Sequence, residues 1–365
     1  FVCGPTVYDL PHLGHARTYI AYDMIVRYLK LIGYTVHFIV NITDIDDKIY
    51  KRSTEESIPA EVISNRFSEE YFEAMSLLKI NTISSYEKAS DYVNKVIDQI
   101  SILLKKGIAY RSNKEIFFNT SKFREYGKLS KQTKRELLLR RLDLNPAKYN
   151  QSDFPLWRRN DLEGPTWESP FGRGRPGWHI EDTAISITNF GEQYDFHGGA
   201  DELIFPHHEA EIAQAEALTG ITPFVKYWIH TGILEIGKEK MSKSLGNIIT
   251  IKKGITEFGV DLLRLYFGSF HYSQKMSISR DRMKEIKKKL TIIEEAVTRI
   301  NSDLQISKKR SHSENSDLFK KLKNLERRFH SAMENDFDTP KATRIILSFA
   351  IAVNETVAPI DHKTA

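Results

Sequence analysis

Two short stretches, far apart in the chain, carry residue types suited to handling phosphate. The first is His12-Leu13-Gly14-His15, two imidazoles bracketing a glycine. It follows an apolar pair, Phe1-Val2, that reads as the end of a strand. It precedes a helical pattern in which Tyr19, Ile20, Met24, Val26, Leu29 and Leu31 recur at three- and four-residue steps. That order puts the histidines at a helix N-terminus, where free N–H groups and a partial positive charge attract anions. Gly14 leaves room for a nucleotide to come close. The second stretch is Lys240-Met241-Ser242-Lys243-Ser244-Leu245-Gly246-Asn247. Two lysines three apart, flanked by serines and closed by a glycine, suit the charge of a polyphosphate. A lysine–serine loop is usually plain surface, and the order and spacing of the whole octet are what make this one specific.

The elements that must position these residues follow from periodicity. Gly33 stops the first helix, and residues 34–41 read as a buried strand. This completes a βαβ unit, which predicts a parallel sheet with right-handed crossovers and an α/β, Rossmann-like doubly wound fold. Residues 42–48, with Asp44, Asp46 and Asp47, fall where such a fold presents ligand-binding groups; an acidic cap for the next helix explains them equally well. Residues 59–79 and 91–106 read as amphipathic helices, and 108–111 with 116–119 as a hairpin. The basic block 121–150 either faces nucleic acid or, as is commoner, is a solvated surface. The α/β pattern resumes near Phe154. A glycine-rich run at 172–177 leads into Trp178-His179-Ile180-Glu181-Asp182. After it come residues 194–199, Phe205-Pro206-His207-His208-Glu209-Ala210-Glu211, a helix ended by Gly220, and a strand at 227–229.

From 281 onward the pattern is helical. Ile286, Leu290, Ile293, Val297 and Ile300 form one stripe, and Leu322, Leu325, Phe329 and Met333 another. A third helix is expected to start at Thr339-Pro340, with threonine as its cap. Such stripes pack cores, so this region is expected to be an antiparallel bundle without chemistry of its own. The resulting division is a first half of the α/β domain (1–55), an insertion (56–150), the second half (151–250), a linker region (251–280) and a helical bundle (281–365).

With 365 residues, 41% hydrophobic and 28% charged, the chain can bury a large core in more than one domain. A net charge of +5 is compatible with a polyanionic partner without demanding one. A single cysteine excludes an intramolecular disulfide and suggests a reducing compartment. No apolar run of membrane-spanning length is present, so a cytoplasmic location is expected. The chain opens inside a strand, so further residues are expected before Phe1, and others beyond Ala365.

His12 to His15 resembles the HIGH motif of class I aminoacyl-tRNA synthetases, and Lys240 to Ser244 resembles their KMSKS loop. The stretches Cys3-Gly4-Pro5-Thr6-Val7-Tyr8-Asp9, 41–48, 177–181 and 205–214 are similar to the cysteinyl-tRNA synthetase family, from Phe1 to about residue 279 and more weakly beyond. The resemblance implies ATP, L-cysteine and the tRNA for cysteine as substrates, joined through an enzyme-bound adenylate, with Mg²⁺ accompanying ATP. It implies roles for His12, Gly14 and His15 at the phosphates, for Lys240 and Lys243 on the β- and γ-phosphates, and for Thr43, Trp178 and His197 around the amino acid. A monomer suffices for this chemistry.

Two other readings share these motifs. A cysteine-activating ligase with a small amino-sugar acceptor would have no need of the helical region. A non-catalytic tRNA-binding paralogue would be expected to lose a histidine or lysine that this chain keeps.

Telling cysteine from serine is hard, because a neutral pocket separates small isosteres by only about 1–3 kcal/mol. A thiophilic Zn²⁺ with an open position would solve the problem. Cys3, His207 and Glu211 are candidate ligands, the last two four apart and hence on one helical face. The resembled family adds a second cysteine, and the position matching it here is Asp182, an acceptable but harder oxygen ligand. The expected set is Cys3, Asp182, His207 and Glu211.

Overall fold

The computed structural model describes residues 1–132, 145–159, 164–236, 239–240, 248–307 and 316–356. They form two compact units. The first comprises Phe1–Pro11, His37–Glu73 and Thr82–Thr231, and the second His12–Val36, Ala74–Asn81 and Gly232–Ala365.

In the first unit the opening residues sit inside a parallel arrangement. Val2 makes parallel bridges to Val40 on one side and Gly198 on the other. Ile39–Ile42 runs parallel to Ser85–Lys88, and Tyr194–Ala200 parallel to Val225–Thr231. All four residues of Ile39–Ile42 are buried, as expected for a strand covered on both faces. The strand begins at Ile39 rather than at residue 34, because Tyr34, Thr35 and His37 lie exposed and give no apolar face to bury. Ser85–Lys88, with half-buried polar side chains, has no sequence signature of a strand and is recruited by pairing alone.

A second sheet, antiparallel, joins Ala109–Ser112, Glu115–Phe118, Phe154–Arg158 and Arg175–Pro176 in that order. It thus links residues on both sides of position 150. Gly177 follows its last strand and donates its N–H to the Leu156 carbonyl at 2.8 Å. A Cβ there would lie 2.0 Å from the Pro155 oxygen, so only glycine allows this approach. From it springs the helix Trp178–Phe190, which carries Asp182.

The second unit is organised on the helix Leu13–Leu31. Its buried Arg17 donates to the carbonyls of Gly232, His271, Tyr272 and Gln274 at 2.6–3.1 Å. Buried Asp23 holds Arg27 at 2.8 Å and Arg264 at 2.6 Å. Leu234–Ile236 pairs with Met276–Ile278 in parallel and with Glu239–Lys240 in antiparallel fashion. The helices Arg280–Ser307, Ser316–Glu334 and Thr339–Glu355 share a cluster containing Ala296, Leu322, Ala350 and Val353. A second cluster joins Leu325, Met333 and Ile345 to Tyr28 of the first helix. The last helix is capped by Asp338, whose carboxylate accepts the Lys341 N–H at 3.0 Å, and not by Thr339. Among the described residues no helix is long and apolar enough to cross a membrane.

Candidate active site

In the second unit, the two histidines of the first motif build the start of their own helix. His12 Nδ1 accepts the Gly14 N–H at 3.1 Å, and His15 Nδ1 accepts the His12 N–H at 3.2 Å. This is a capping box made of imidazoles. The rings stack with centroids 3.9 Å apart and are half-buried. Because each Nδ1 accepts a backbone N–H, a neutral ring must carry its proton on Nε2. The pair therefore presents two Nε2–H donors in a fixed tautomer. The N–H groups expected to be free here are partly engaged, since Leu13 donates to Ile249 at 3.0 Å and Gly14 to His12.

The flank of the basic octet returns to this place. His12 and Thr250 form an antiparallel bridge, and a Cβ on Gly254 would meet Leu13 Cδ2 at 2.7 Å. Lys240 lies in the short strand Glu239–Lys240. Lys243, with the rest of 241–247, lies outside the described residues.

In the first unit, five segments bring a second constellation together. Cys3 comes from the central segment, Asp182 from the helix Trp178–Phe190, and His197 from the strand Tyr194–Ala200. His207 and His208 close the irregular turn Ile204–His208, and Glu211 lies on the helix Glu209–Thr219 that follows. Donor atoms of Cys3, Asp182, His207 and Glu211 all lie within 4.8 Å of one another and are buried. His207 Nε2 is 3.0 Å from Asp182 Oδ2 and 3.1 Å from Glu211 Oε1. Its Nδ1 pairs with His179 Nδ1 at 2.9 Å, which leaves Nε2 facing the carboxylates. Cys3 Sγ is 3.9 Å from Glu211 Oε1.

Cys3 and Glu211 also belong to a second donor group, with His197 and His208. Cys3 Sγ is 3.4 Å from His197 Nε2 and 3.2 Å from His208 Nε2. The far nitrogens of those rings are held by the Tyr194 hydroxyl at 2.5 Å and by His230 at 2.8 Å.

The electrostatics of this pocket ask for a cation. Burial, reinforced by Asp182, raises the Glu211 carboxyl well above its usual range. Burial, then Asp182 and Glu211, raise the Cys3 thiol likewise. Burial lowers His197 and His208 well below the ordinary histidine value and His230 to about 4, so these rings stay neutral. Two buried carboxyls, a thiol and the neutral rings of His197 and His208 thus converge, a set rich in electron pairs. That is the donor chemistry of a metal site, and a divalent ion would reverse the shifts on Cys3 and Glu211.

The residues expected to line the amino-acid pocket surround this cluster. Trp178 is no core residue: it is 40% exposed and stacks on His207 with centroids 4.2 Å apart. His197 touches Cys3. Thr43, buried, receives an Asn41 Nδ2–H at 3.3 Å, and the same amide reaches Asp182 Oδ1 at 2.6 Å. Glu209 is buried and accepts the N–H groups of Gly127 and Ser130 at 2.9 and 2.8 Å, so it anchors a loop instead of facing solvent. Asn41, His179 and His230 were not legible as site residues, because each acts through a neighbour distant in sequence, and Tyr194, three residues from His197, carries no pattern that marks it. The polar asparagine ending an apolar run was the one available hint.

Residues 1–288 match the family model for tRNA synthetases class I (C) catalytic domain. A cysteine–tRNA ligase of Methanococcus maripaludis is 42% identical over 97% of this chain and 75% of its own length. One from Thermoplasma acidophilum is 41% identical over 100% of this chain and 79% of its own. Among solved structures, a Mycobacterium tuberculosis methionyl-tRNA synthetase bound by methionyl-adenylate superposes with a TM-score of 0.73 at 16% identity, covering 97% of this chain and 82% of that one. The family model and the fold therefore define a class I aminoacyl-tRNA synthetase. Within that class the chain belongs to the cysteine–tRNA ligase family, and it is an enzyme that aminoacylates tRNA with cysteine.

Proposed function

We propose that the chain performs this reaction in two steps, on a doubly wound Rossmann-like core divided by the 56–150 insertion. The linker region 251–280 and the helical bundle 281–365 would meet the tRNA. In the first step a carboxylate oxygen of L-cysteine attacks the α-phosphorus of ATP, the bond to the leaving pyrophosphate breaks, and cysteinyl-adenylate forms. In the second a hydroxyl of the terminal ribose of the tRNA for cysteine attacks the carbonyl carbon, and AMP leaves. Displacement at phosphorus asks the protein for positioning and charge stabilisation, with no covalent nucleophile.

The Nε2–H groups of His12 and His15 donate to phosphate oxygens as negative charge builds. Their tautomer is fixed by the capping bonds on Nδ1, so no reorganisation precedes the step. Gly14 leaves the approach open. Lys240 and Lys243 hold the β- and γ-phosphates, and Mg²⁺ travels with ATP.

Cys3, Asp182, His207 and Glu211 would hold Zn²⁺, which when bound supplies a thiophilic Lewis acid that discriminates a thiol from a hydroxyl. This set is preferred to Cys3, His197, His208 and Glu211 because it adds a second buried carboxyl, Asp182, to the one that both share. Thr43, Trp178 and His197 line the amino-acid pocket. The enzyme works as a cytoplasmic monomer.

The convergence of Cys3, Asp182, His207 and Glu211 within 4.8 Å carries the reading. Cysteine-dependent exchange between ATP and pyrophosphate tests it. Exchange with cysteine and not serine, without tRNA, is expected from zinc-loaded enzyme; equal rates with serine would overturn the assignment.

A further inference from the structure

The donor set has an unusual member, and the structure shows how it is aimed. A carboxylate has two equivalent oxygens and rotates, so as a ligand it can bind through one or both. Asp182 does not have that freedom. Its Oδ1 accepts a hydrogen bond from Asn41 Nδ2 at 2.6 Å, and its Oδ2 faces His207 Nε2 at 3.0 Å. Asn41 is itself 1% exposed and fixed from both ends of its amide. Its Oδ1 accepts the Gly4 N–H at 2.5 Å, and its Nδ2 also reaches Thr43 Oγ1 at 3.3 Å. The Gly4 contact settles the amide's orientation, since only the carbonyl oxygen can accept that N–H. Gly4 is also held close, because a Cβ on it would lie 1.5 Å from the Asn41 carbonyl. The segment bearing Cys3 and the helix bearing Asp182 are thus registered through one side chain.

We propose that Asn41 is the positioning residue of the metal centre. By occupying Asp182 Oδ1 it turns Oδ2 alone toward Cys3, His207 and Glu211, so that a carboxylate serves as a single-atom donor. The inference rests on the proposed reading of Cys3, Asp182, His207 and Glu211 as metal ligands. Partners of this kind, one bond behind a ligand, typically change metal affinity by about 10–100-fold when removed.

The test is a double-mutant cycle on zinc affinity, measured with the full chain by competition against a chromophoric chelator, with thermal melting as the folding control. Asn41→Leu is expected to lower zinc affinity about 10–100-fold beside Asp182. In the Asp182→Cys background a thiolate has only one donor atom to aim. There the same Asn41 substitution is expected to change affinity less than about threefold. Should Asn41→Leu fail to fold, Asn41→Asp keeps the acceptor for Gly4 and replaces the donor with a repelling oxygen; an equal or larger loss is expected. Equal losses in the two backgrounds would make Asn41 merely structural, and unchanged affinity beside Asp182 would also overturn the proposal. Absence of zinc binding by the unsubstituted chain would instead remove the metal reading, and the proposal with it.

Discussion

The His12–His15 helix start and the Cys3 cluster both gather histidines, but they are built on opposite principles. At the helix start the backbone does the ordering: each imidazole is fixed by a main-chain N–H three residues or fewer away. The rings are half-buried, and their donors are defined whatever else binds. In the Cys3 cluster the side chains order one another, across as many as 208 residues of sequence. All are buried, and burial keeps His197 and His208 neutral and raises the Glu211 carboxyl and the Cys3 thiol. The capping bonds of the first are made within the fold, whereas the second is a candidate metal-binding group. Chemistry that must be identical at every turnover can rest on local capping. Selection of one atom type needs a deep, preorganised pocket.

The comparison breaks most sharply at the helix start. His12→Asn retains a capping oxygen and loses the Nε2–H. Cysteine-dependent ATP–pyrophosphate exchange is expected to fall about 10²–10³-fold, with melting temperature nearly unchanged. A loss shared equally by stability and activity would show that His12 is only a cap. At the buried cluster, Asp182→Ala should reduce zinc affinity by at least about 100-fold and weaken cysteine binding, leaving KM for ATP near its original value. Unchanged zinc content would remove Asp182 from the site.

Acidity should separate the two regions further. Zinc must displace protons from Cys3 and Glu211, both of which bind them more tightly than usual in the metal-free protein. Zinc affinity should therefore rise about tenfold per pH unit for each proton released. A pH-independent affinity would contradict the buried donor set. The smallest expected effect concerns His230. Its folded value of about 4 lies below the unfolded value near 6.5, so the unfolded chain takes the proton first. The stability this contributes is complete above pH 6.5 and is lost as pH falls toward 4. His230→Gln should flatten that part of the stability–pH curve measured by denaturant unfolding, and a curve as steep as the original would exclude His230.

These two regions also differ in how far the sequence exposed them. The helix start was readable because its parts are contiguous: a glycine, two histidines and a 3.6-residue stripe suffice. Its capping box was not, because histidine is an unusual cap and only geometry shows which nitrogen accepts. In the cluster, the i, i+4 spacing of His207 and Glu211 and the singularity of Cys3 gave three members, and Asp182 came from the family pattern alone. Asn41, Tyr194 and His179 could not be found by spacing, since their partners lie 141, 3 and 28 residues away with no shared period. Periodicity likewise found the long helices but missed Ser85–Lys88, whose pairing with Ile39–Ile42 is a tertiary fact.

The central claim is that one buried thiolate and three nitrogen and oxygen donors hold a zinc ion that recognises the thiol of the substrate. X-ray absorption at the zinc edge of the full chain, without and with L-cysteine, tests it most directly. A single sulfur neighbour at about 2.3 Å is expected without the amino acid and two with it, the remainder being nitrogen and oxygen. A sulfur count that stays at one when cysteine is bound would contradict it.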